Sequence, residues 1–369
     1  MARRIRIQYP GALYHVVSRG DRGGPIFVDD TDRESFLKTL DEVCAKASWR
    51  IHAYVLMPDH FHLILKTPEA NLVAGMQWCL GTFTTRFNVR HGQRGHLFAG
   101  RYKAAPIDPR GGYLQTAVDY VHLNPARARL IQEHQPLRDF PWSSFGSYLM
   151  TLDEAEQKRP PVETVLREFG LREDGPKPPR DFERHTEGRR TQDLNAEFQE
   201  LRHGWSFGGE SFRAELLARV NSVAAANHIG PEIQQSAEQK AERIVARELT
   251  RFEWSEEDLR EHAKGDIKKL RIAEQLRRES TMTLGWIAER LRMGTASHLS
   301  HLLYWRRRGV KPGKPRRSMD SARASIPRFR AAATTLPADL PVASQMPAKL
   351  HEVTAPNDLQ PFTFDPSFD

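Results

Sequence analysis

Cysteine and long apolar runs are nearly absent from this sequence of 369 residues. The two cysteines, Cys44 and Cys79, lie far apart and form no CxxC pair, which argues against a disulfide scaffold or a zinc ribbon and fits a reducing compartment. No apolar run approaches the roughly 20 residues that span a bilayer. The N-terminus, MARRIRIQYP, is basic but has no apolar segment after it, so we expect no signal peptide, no membrane contact and a cytoplasmic location.

Apolar residues are also scarce, whereas positive charge is in excess. Hydrophobic residues make up 39% of the chain and the mean hydropathy is -0.61, so we expect a compact core in only part of it. The formal net charge is +8 and the pI is about 9.5, which suits an anionic partner, nucleic acid first.

The patterns along the chain predict four segments. Residues 1–150 alternate strand-like and helix-like stretches without buried βαβ runs, which predicts an α+β domain with an antiparallel sheet and helices on one face. Residues 151–200 are charged and proline-rich, as in a partly helical linker. Helical patterns resume over 201–308. Residues 309–369 are basic and then rich in proline and alanine, which predicts a disordered tail.

A pair of histidines, His60 and His62, interrupts the apolar stretch MPDHFHLIL at residues 57–65. Side chains at i and i+2 of a strand point to one face, so the two imidazoles lie side by side and Phe61 faces the other way. Two neutral imidazoles on a rigid strand form half of a divalent-metal site. His-x-His alone is more often an ordinary polar strand face, so the metal interpretation needs further ligands nearby.

The stretch DYVHLNP at residues 119–125 offers such ligands. Tyr120 and Asn124 lie at i and i+4 of a predicted helix and so share one face. Asn124 would add an oxygen ligand, and the Tyr120 phenol beside a metal-bound phosphate would be a covalent nucleophile. The spacing equally allows Tyr120 to be a core residue and Asn124 to cap the helix before Pro125.

Three motifs together give a specific resemblance. MPDHFHLIL, GHLFAGRYKA and DYVHLNPARARL resemble, in this order, motifs of the REP-associated tyrosine transposases, a branch of the HUH single-tyrosine transposases, over roughly residues 8–145. The resemblance implies a ferredoxin-like antiparallel sheet, a metal site of His60, His62 and Asn124, and Tyr120 as the nucleophile.

Cofactor and substrate are also implied by this resemblance. The family uses Mg²⁺ or Mn²⁺ and cuts single-stranded DNA at hairpin-bearing repeats through a 5′-phosphotyrosine intermediate, as a monomer or a homodimer. Nitrogen ligands alone would favour zinc. Because imidazoles and an amide carry no charge, the DNA phosphate must supply the anionic ligands that Mg²⁺ or Mn²⁺ needs.

Cationic and aromatic residues near these motifs predict contacts with DNA. Residues 94–106 interleave cations with rings, as on surfaces where phosphates pair with cations and bases stack on aromatics; a solvated strand edge is the alternative. Tyr102 is also a rival nucleophile, but no ligand-type residue shares its local face. The predicted DNA-binding residues of this part are Arg19, Arg22, Arg94, Arg101, Tyr102, Lys103 and Arg127.

Residues 282–305 predict a helix-turn-helix, with a short helix, a glycine turn and a second helix. The pattern resembles C-terminal modules appended to some transposases of the same branch, and a plain helical hairpin is the alternative. The predicted groove-facing residues are Thr295, Ser297 and His298, with Arg306 and Arg307 on phosphate.

The sequence thus favours a metal-dependent single-strand DNA endonuclease and strand transferase. A DNA-binding regulator with an inactive transposase-like domain is the first alternative. A metal hydrolase that activates water, with Tyr120 in a structural role, is the second.

Overall fold

The structure, a computed structural model, describes residues 7–150, 160–171, 178–225 and 231–307. All of them lie in one compact unit, Arg4–Lys311. Some helical residues are described by their backbone alone, namely 178–179, 221–225, 231–236 and 307. The predicted tail, 309–369, lies outside the described residues.

Four antiparallel strands form one sheet in the order β2-β3-β1-β4. One helix connects β1 to β2 and a second connects β3 to β4, so the chain order is βαββαβ, the ferredoxin-like arrangement. The predicted α+β fold with an antiparallel sheet is confirmed. These elements are β1 (Ala12–Arg19), α1 (Asp30–Ala47), β2 (Arg50–Leu56), β3 (His60–Thr67), α2 (Leu72–His91) and β4 (Lys103–Ile107).

Helices α1 and α2 cover the first face of the sheet. The α1 N-cap is Asp29, because its extended backbone lets the carboxylate accept the Asp32 N–H at 3.2 Å. Phe36 of α1 and Phe83 of α2 pack with Phe61 of β3, and all three rings are fully buried. The first core cluster is therefore built from the alternate strand residues that point away from the histidine pair.

A third helix, α3 (Tyr113–Arg127), packs on the opposite face of the sheet, against β2 and β3. The prediction of helices on one face only is therefore wrong, since a second core cluster fills the space between the sheet and α3. Pro125 lies inside α3, and the helix ends two residues later.

The segment predicted as a linker is, where described, packed structure. Its helices α5 (Pro178–Arg189) and the following α6 (Asn195–His203) lie against α3, with α4 (Phe145–Tyr148) before them. Phe182 and Phe198 are fully buried in the second cluster. Charge and proline dominate the composition here, but Phe182 in α5 and apolar residues at helical spacing around α6 anchor both helices; the latter are Leu194, Phe198 and Leu201. We call residues 178–203 the cover.

The last five of the remaining described helices contribute to a third core cluster. The Lys46 ammonium at the end of α1 donates to the carbonyls of Arg277 and Arg278, which ties this helical part to the α+β part. Among the residues that the structure describes, no helix is long and apolar enough to cross a membrane. The helices are α7 (Glu210–Ala225), α8 (Pro231–Arg251), α9 (Asp258–Glu261), α10 (Ile267–Glu279), α11 (Leu284–Arg290) and α12 (Ala296–Arg307).

Candidate active site

The two histidines of β3 point to the α3 face of the sheet. Their ring centroids lie 5.0 Å apart, and Phe61 between them is buried on the other face. His62 is 5% exposed. Burial first, and then the charges of neighbouring His15, His60 and Arg19, hold the pKa of His62 well below its ordinary value. His62 is therefore a neutral imidazole at neutral pH, the form that binds metal ions.

Both imidazoles are hydrogen-bonded through Nδ1. His60 Nδ1 lies 2.6 Å from Asp59 Oδ1, and an ionised carboxylate only accepts, so this nitrogen of His60 carries the proton. The hydrogen bond from His60 lowers the pKa of Asp59, as does the charge of Arg19. His62 Nδ1 lies 2.9 Å from Nε2 of His15 on β1. Nε2 is therefore the ring nitrogen of each that is left to face a ligand.

Tyr120 of α3 lies directly against this pair. Its ring meets His62 edge-on at a centroid distance of 5.4 Å and His15 at 5.5 Å. Asn124 lies one turn further along, and its amide Nδ2 donates to the Tyr120 carbonyl at 2.8 Å. Burial raises the pKa of the Tyr120 phenol, while the charge of Arg202, a hydrogen bond with Asn124 and the charge of Arg127 oppose that rise. The phenol is therefore protonated at neutral pH.

The cover closes over Tyr120. Phe198 of α6 packs on the Tyr120 ring at 5.1 Å, and Tyr120 is only 6% exposed. Arg127 of α3 lies over the Phe198 ring at 5.4 Å, and its Nη2 donates to Asn195 Oδ1 at 2.7 Å. The cover therefore leaves little of the Tyr120 side chain open to a ligand.

Buried charge also holds the cover to α3. Asp119, the residue before Tyr120, is fully buried, and its Oδ2 lies 3.2 Å from Arg189 and 3.4 Å from His185, both on α5. Burial raises the pKa of Asp119 despite these partners. The cover is thus anchored next to the phenol by an ion pair and by Phe198.

Comparison with known protein families gives a match that covers the candidate site. Residues 8–124 match the model of the family described as IS200-like transposases. This segment is similar to the IS200-like transposases. The match spans His60, His62, Tyr120 and Asn124 and covers about a third of the chain, so the cover and the later helices lie beyond it.

Comparison of the whole chain with solved structures gives a weaker likeness. A solved structure described as the REP-associated tyrosine transposase bound to a REP hairpin is 18% identical, with 40% of this chain and 86% of that chain covered and a TM-score of 0.35. No curated protein matches the chain.

Two side chains near the candidate site have no signal in their local sequence. His15 stands alone in the apolar stretch ALYHVV, and only the pairing of Val17 with His62 reveals that it faces the histidine pair. Arg202 lies beyond the predicted linker, so nothing in its local pattern connects it with Tyr120. Asp59 had a local signal, because it directly precedes His60 in the turn between β2 and β3.

The DNA-binding residues predicted within residues 1–150 lie in different surroundings. Arg19 pairs with Asp59 at 3.3 Å, and Lys103 donates to the Arg202 carbonyl. Tyr102 is 7% exposed in the first core cluster, across the sheet from the histidines, so the prediction that its ring is available to stack on a base is wrong. The remaining predicted residues are exposed, namely Arg22, Arg94, Arg101 and Arg127.

The predicted helix-turn-helix corresponds to α11 and α12, joined by a turn at Gly294 with φ of 92°. Thr295 caps α12, because its hydroxyl accepts the His298 N–H at 3.2 Å, and the side chains of Ser297 and His298 are exposed. Arg306 pairs with Glu274 at 2.7 Å instead of standing free for phosphate, and the side chain of Arg307 lies outside the described residues.

The chemistry of the histidine pair can be compared with what a divalent cation needs. Among the described residues, no three imidazole, thiol or carboxylate side chains converge in the way that a complete protein-built metal site requires. Two imidazoles that present Nε2, next to an amide side chain, fit a divalent cation that takes its other ligands from a bound phosphate.

Proposed function

We propose that this protein is a metal-dependent single-strand DNA endonuclease and strand transferase of the REP-associated tyrosine transposase type. The observation that carries the proposal is the packing of the Tyr120 phenol against His62, whose ring centroid lies 5.4 Å away. The similarity of residues 8–124 to the IS200-like transposases supports it. The proposed substrate is single-stranded hairpin DNA from REP-like repeats.

His60, His62 and Asn124 are the proposed ligands of Mg²⁺ or Mn²⁺. Nε2 of each imidazole and the amide oxygen of Asn124 are uncharged donors, so the anionic ligands that the cation needs would come from the DNA phosphate. When bound, the metal polarises the scissile phosphate and offsets the charge that develops on it.

Tyr120 is the proposed nucleophile. Its oxygen attacks the scissile phosphorus and loses its proton, the P–O bond to the 3′ oxygen breaks, and that oxygen leaves as a hydroxyl. The strand then remains on Tyr120 through its 5′ phosphate. A free 3′ hydroxyl that attacks this phosphotyrosine reverses the step without an external energy source, because one phosphodiester bond replaces another. Arg127 and Arg202 already oppose the raised pKa of the phenol, which helps its proton to leave.

The later helices are proposed to locate the target. Residues 201–308 would act as a DNA-binding domain in which α11 and α12 form a helix-turn-helix, with residues 1–150 as the catalytic domain. The exposed face of α12 carries Ser297 and His298 after the Thr295 cap, which suits contact with base edges in a major groove.

The test is incubation of the full chain with labelled single-stranded hairpin DNA and Mg²⁺ or Mn²⁺. We expect a covalent protein–DNA adduct that is lost in Tyr120→Phe. Tyr148→Phe is the matched control, because it removes a buried hydroxyl, bound to the His52 carbonyl at 3.0 Å, on the same side of the sheet. Cleavage that persists without an adduct in Tyr120→Phe would instead indicate a hydrolase that uses water.

The burial of Tyr120 under Phe198 favours one competing function, a DNA-binding regulator whose transposase domain no longer cuts. Hairpin binding without any adduct, with either metal and with all hairpins of a library, would support that function and overturn the first.

A further inference from the structure

We propose that His15 is a positioning residue, which accepts a hydrogen bond from His62 Nδ1–H and so leaves the lone pair of His62 Nε2 free for a cation. The inference rests on the proposed function, in which His62 is a metal ligand. His15 lies outside the histidine motif and contributes no ligand itself.

The sheet register brings His15 to this position. β1 and β3 pair with Val17 opposite His62, and His15, two residues from Val17, points to the same face. The two rings are nearly parallel, with an interplanar angle of 7° and centroids 5.1 Å apart, and His15 Nε2 lies 2.9 Å from His62 Nδ1. Both side chains are buried, so water does not compete for this hydrogen bond.

One proton lies between the two rings, and its position decides whether His62 can bind a cation. If His62 Nδ1 donates, Nε2 of His62 keeps its lone pair. If His15 Nε2 donates, the proton of neutral His62 must lie on its own Nε2, and that nitrogen cannot act as a ligand.

The proposed ligand role of His62 sets the direction. A neutral imidazole carries one ring proton, and Nε2 of His62 can bind a cation only when that proton lies on Nδ1. His62 Nδ1 then donates across the 2.9 Å contact, and Nε2 of His15 accepts.

His60 is held in the same way as His62, but by the carboxylate of Asp59. The Asp59 carboxylate accepts from His60 Nδ1 at 2.6 Å in a half-exposed position. At the buried position of His62, a carboxylate would carry a large desolvation cost, whereas a neutral imidazole accepts the same hydrogen bond without it. His15 is thus the uncharged equivalent of Asp59.

The test compares two substitutions of His15 in the full chain. His15→Gln places an acceptor oxygen near the position of Nε2, whereas His15→Phe keeps a ring against Tyr120 but removes the acceptor. The measurements are the His62 tautomer, from nitrogen chemical shifts of ¹⁵N-histidine-labelled protein without metal, and the affinity for Mn²⁺, from titration followed by electron paramagnetic resonance.

We expect wild-type His62 to be protonated on Nδ1. His15→Phe should shift this tautomer and weaken Mn²⁺ binding by about 10- to 100-fold, the usual cost of losing a group that orients a ligand. His15→Gln should restore both properties to within a few-fold of wild type. His122→Phe is the matched control, since it removes another buried imidazole, bound to Ser144 Oγ at 2.9 Å, and should leave Mn²⁺ affinity unchanged.

Three results would overturn the role of His15: a wild-type His62 protonated on Nε2, a His15→Phe variant with wild-type Mn²⁺ affinity, or a His15→Gln variant as weak as His15→Phe. The tautomer measurement needs only the wild-type protein, so it decides the question even where a variant fails to fold. Failure of the proposed function looks different, because the wild-type protein then binds no Mn²⁺ while His62 is still protonated on Nδ1.

Discussion

Substitution of Phe198 by alanine measures how firmly the cover closes the site. Phe198 is 0% exposed and packs between the Tyr120 ring and the guanidinium of Arg127. Removal of a fully buried phenylalanine side chain costs about 3 to 5 kcal/mol. If the cover opens as a local unit, its opening free energy falls by this amount. At 1.36 kcal/mol per factor of ten, amide exchange in α6 should accelerate about 10²- to 10⁴-fold.

Hydrogen–deuterium exchange with peptide-resolved mass spectrometry gives the comparison. We expect faster exchange in peptides from α6 and little change in peptides from α2, which lies on the other face of the sheet. Leu217→Ala on α7 is the control, since that side chain is 51% exposed and should alter neither peptide set. Equal acceleration of α2 and α6 would show that the cover does not open on its own. No acceleration in α6 would refute the role of Phe198.

Three further predictions concern charge and the rival tyrosine. Burial raises the pKa of Asp32, but hydrogen bonds from His91, a backbone N–H and Arg90 outweigh burial and lower the pKa overall. Asp32→Asn should therefore lower the stability measured by thermal unfolding, with the full loss above about pH 5. The difference from wild type should shrink as the pH falls below the unfolded-state pKa of about 3.9, and vanish below the folded-state pKa. Asp119→Asn should cost about 3 to 5 kcal/mol in urea unfolding, because it breaks a buried pair, whereas the exposed Asp181→Asn should cost under about 1 kcal/mol. Tyr102→Phe should form the DNA adduct at a rate within a few-fold of wild type; loss of the adduct would refute the placement of Tyr102 in the core.

Local patterns were enough to predict the sheet and the two motifs. The alternation of His60, Phe61 and His62 fixes which side chain faces which side of a strand, whatever the partners are. The i, i+4 spacing of Tyr120 and Asn124 likewise fixes a shared helix face. The meeting of these two faces followed from the family resemblance, not from the spacing itself.

The parts that sequence reasoning missed depend on pairing between distant segments. His15 faces His62 only because β1 and β3 pair in one particular register, which no local pattern specifies. Residues 151–200, which include most of the cover, were predicted as a linker because charge and proline outweigh the few apolar residues there. Neighbouring residues of an extended segment point to opposite sides of the sheet, so an error of one position reverses the prediction. Tyr102 faces the core, whereas its neighbour Lys103 points to the other side of the sheet.

The most direct test of the central claim is to map the residue that carries the DNA. The adduct formed with a single-stranded hairpin and Mn²⁺ would be digested with nuclease and protease and sequenced by tandem mass spectrometry. We expect a nucleotide linked through its 5′ phosphate to Tyr120, in a peptide from α3. A nucleotide on any other residue, or linked through its 3′ phosphate, would contradict it.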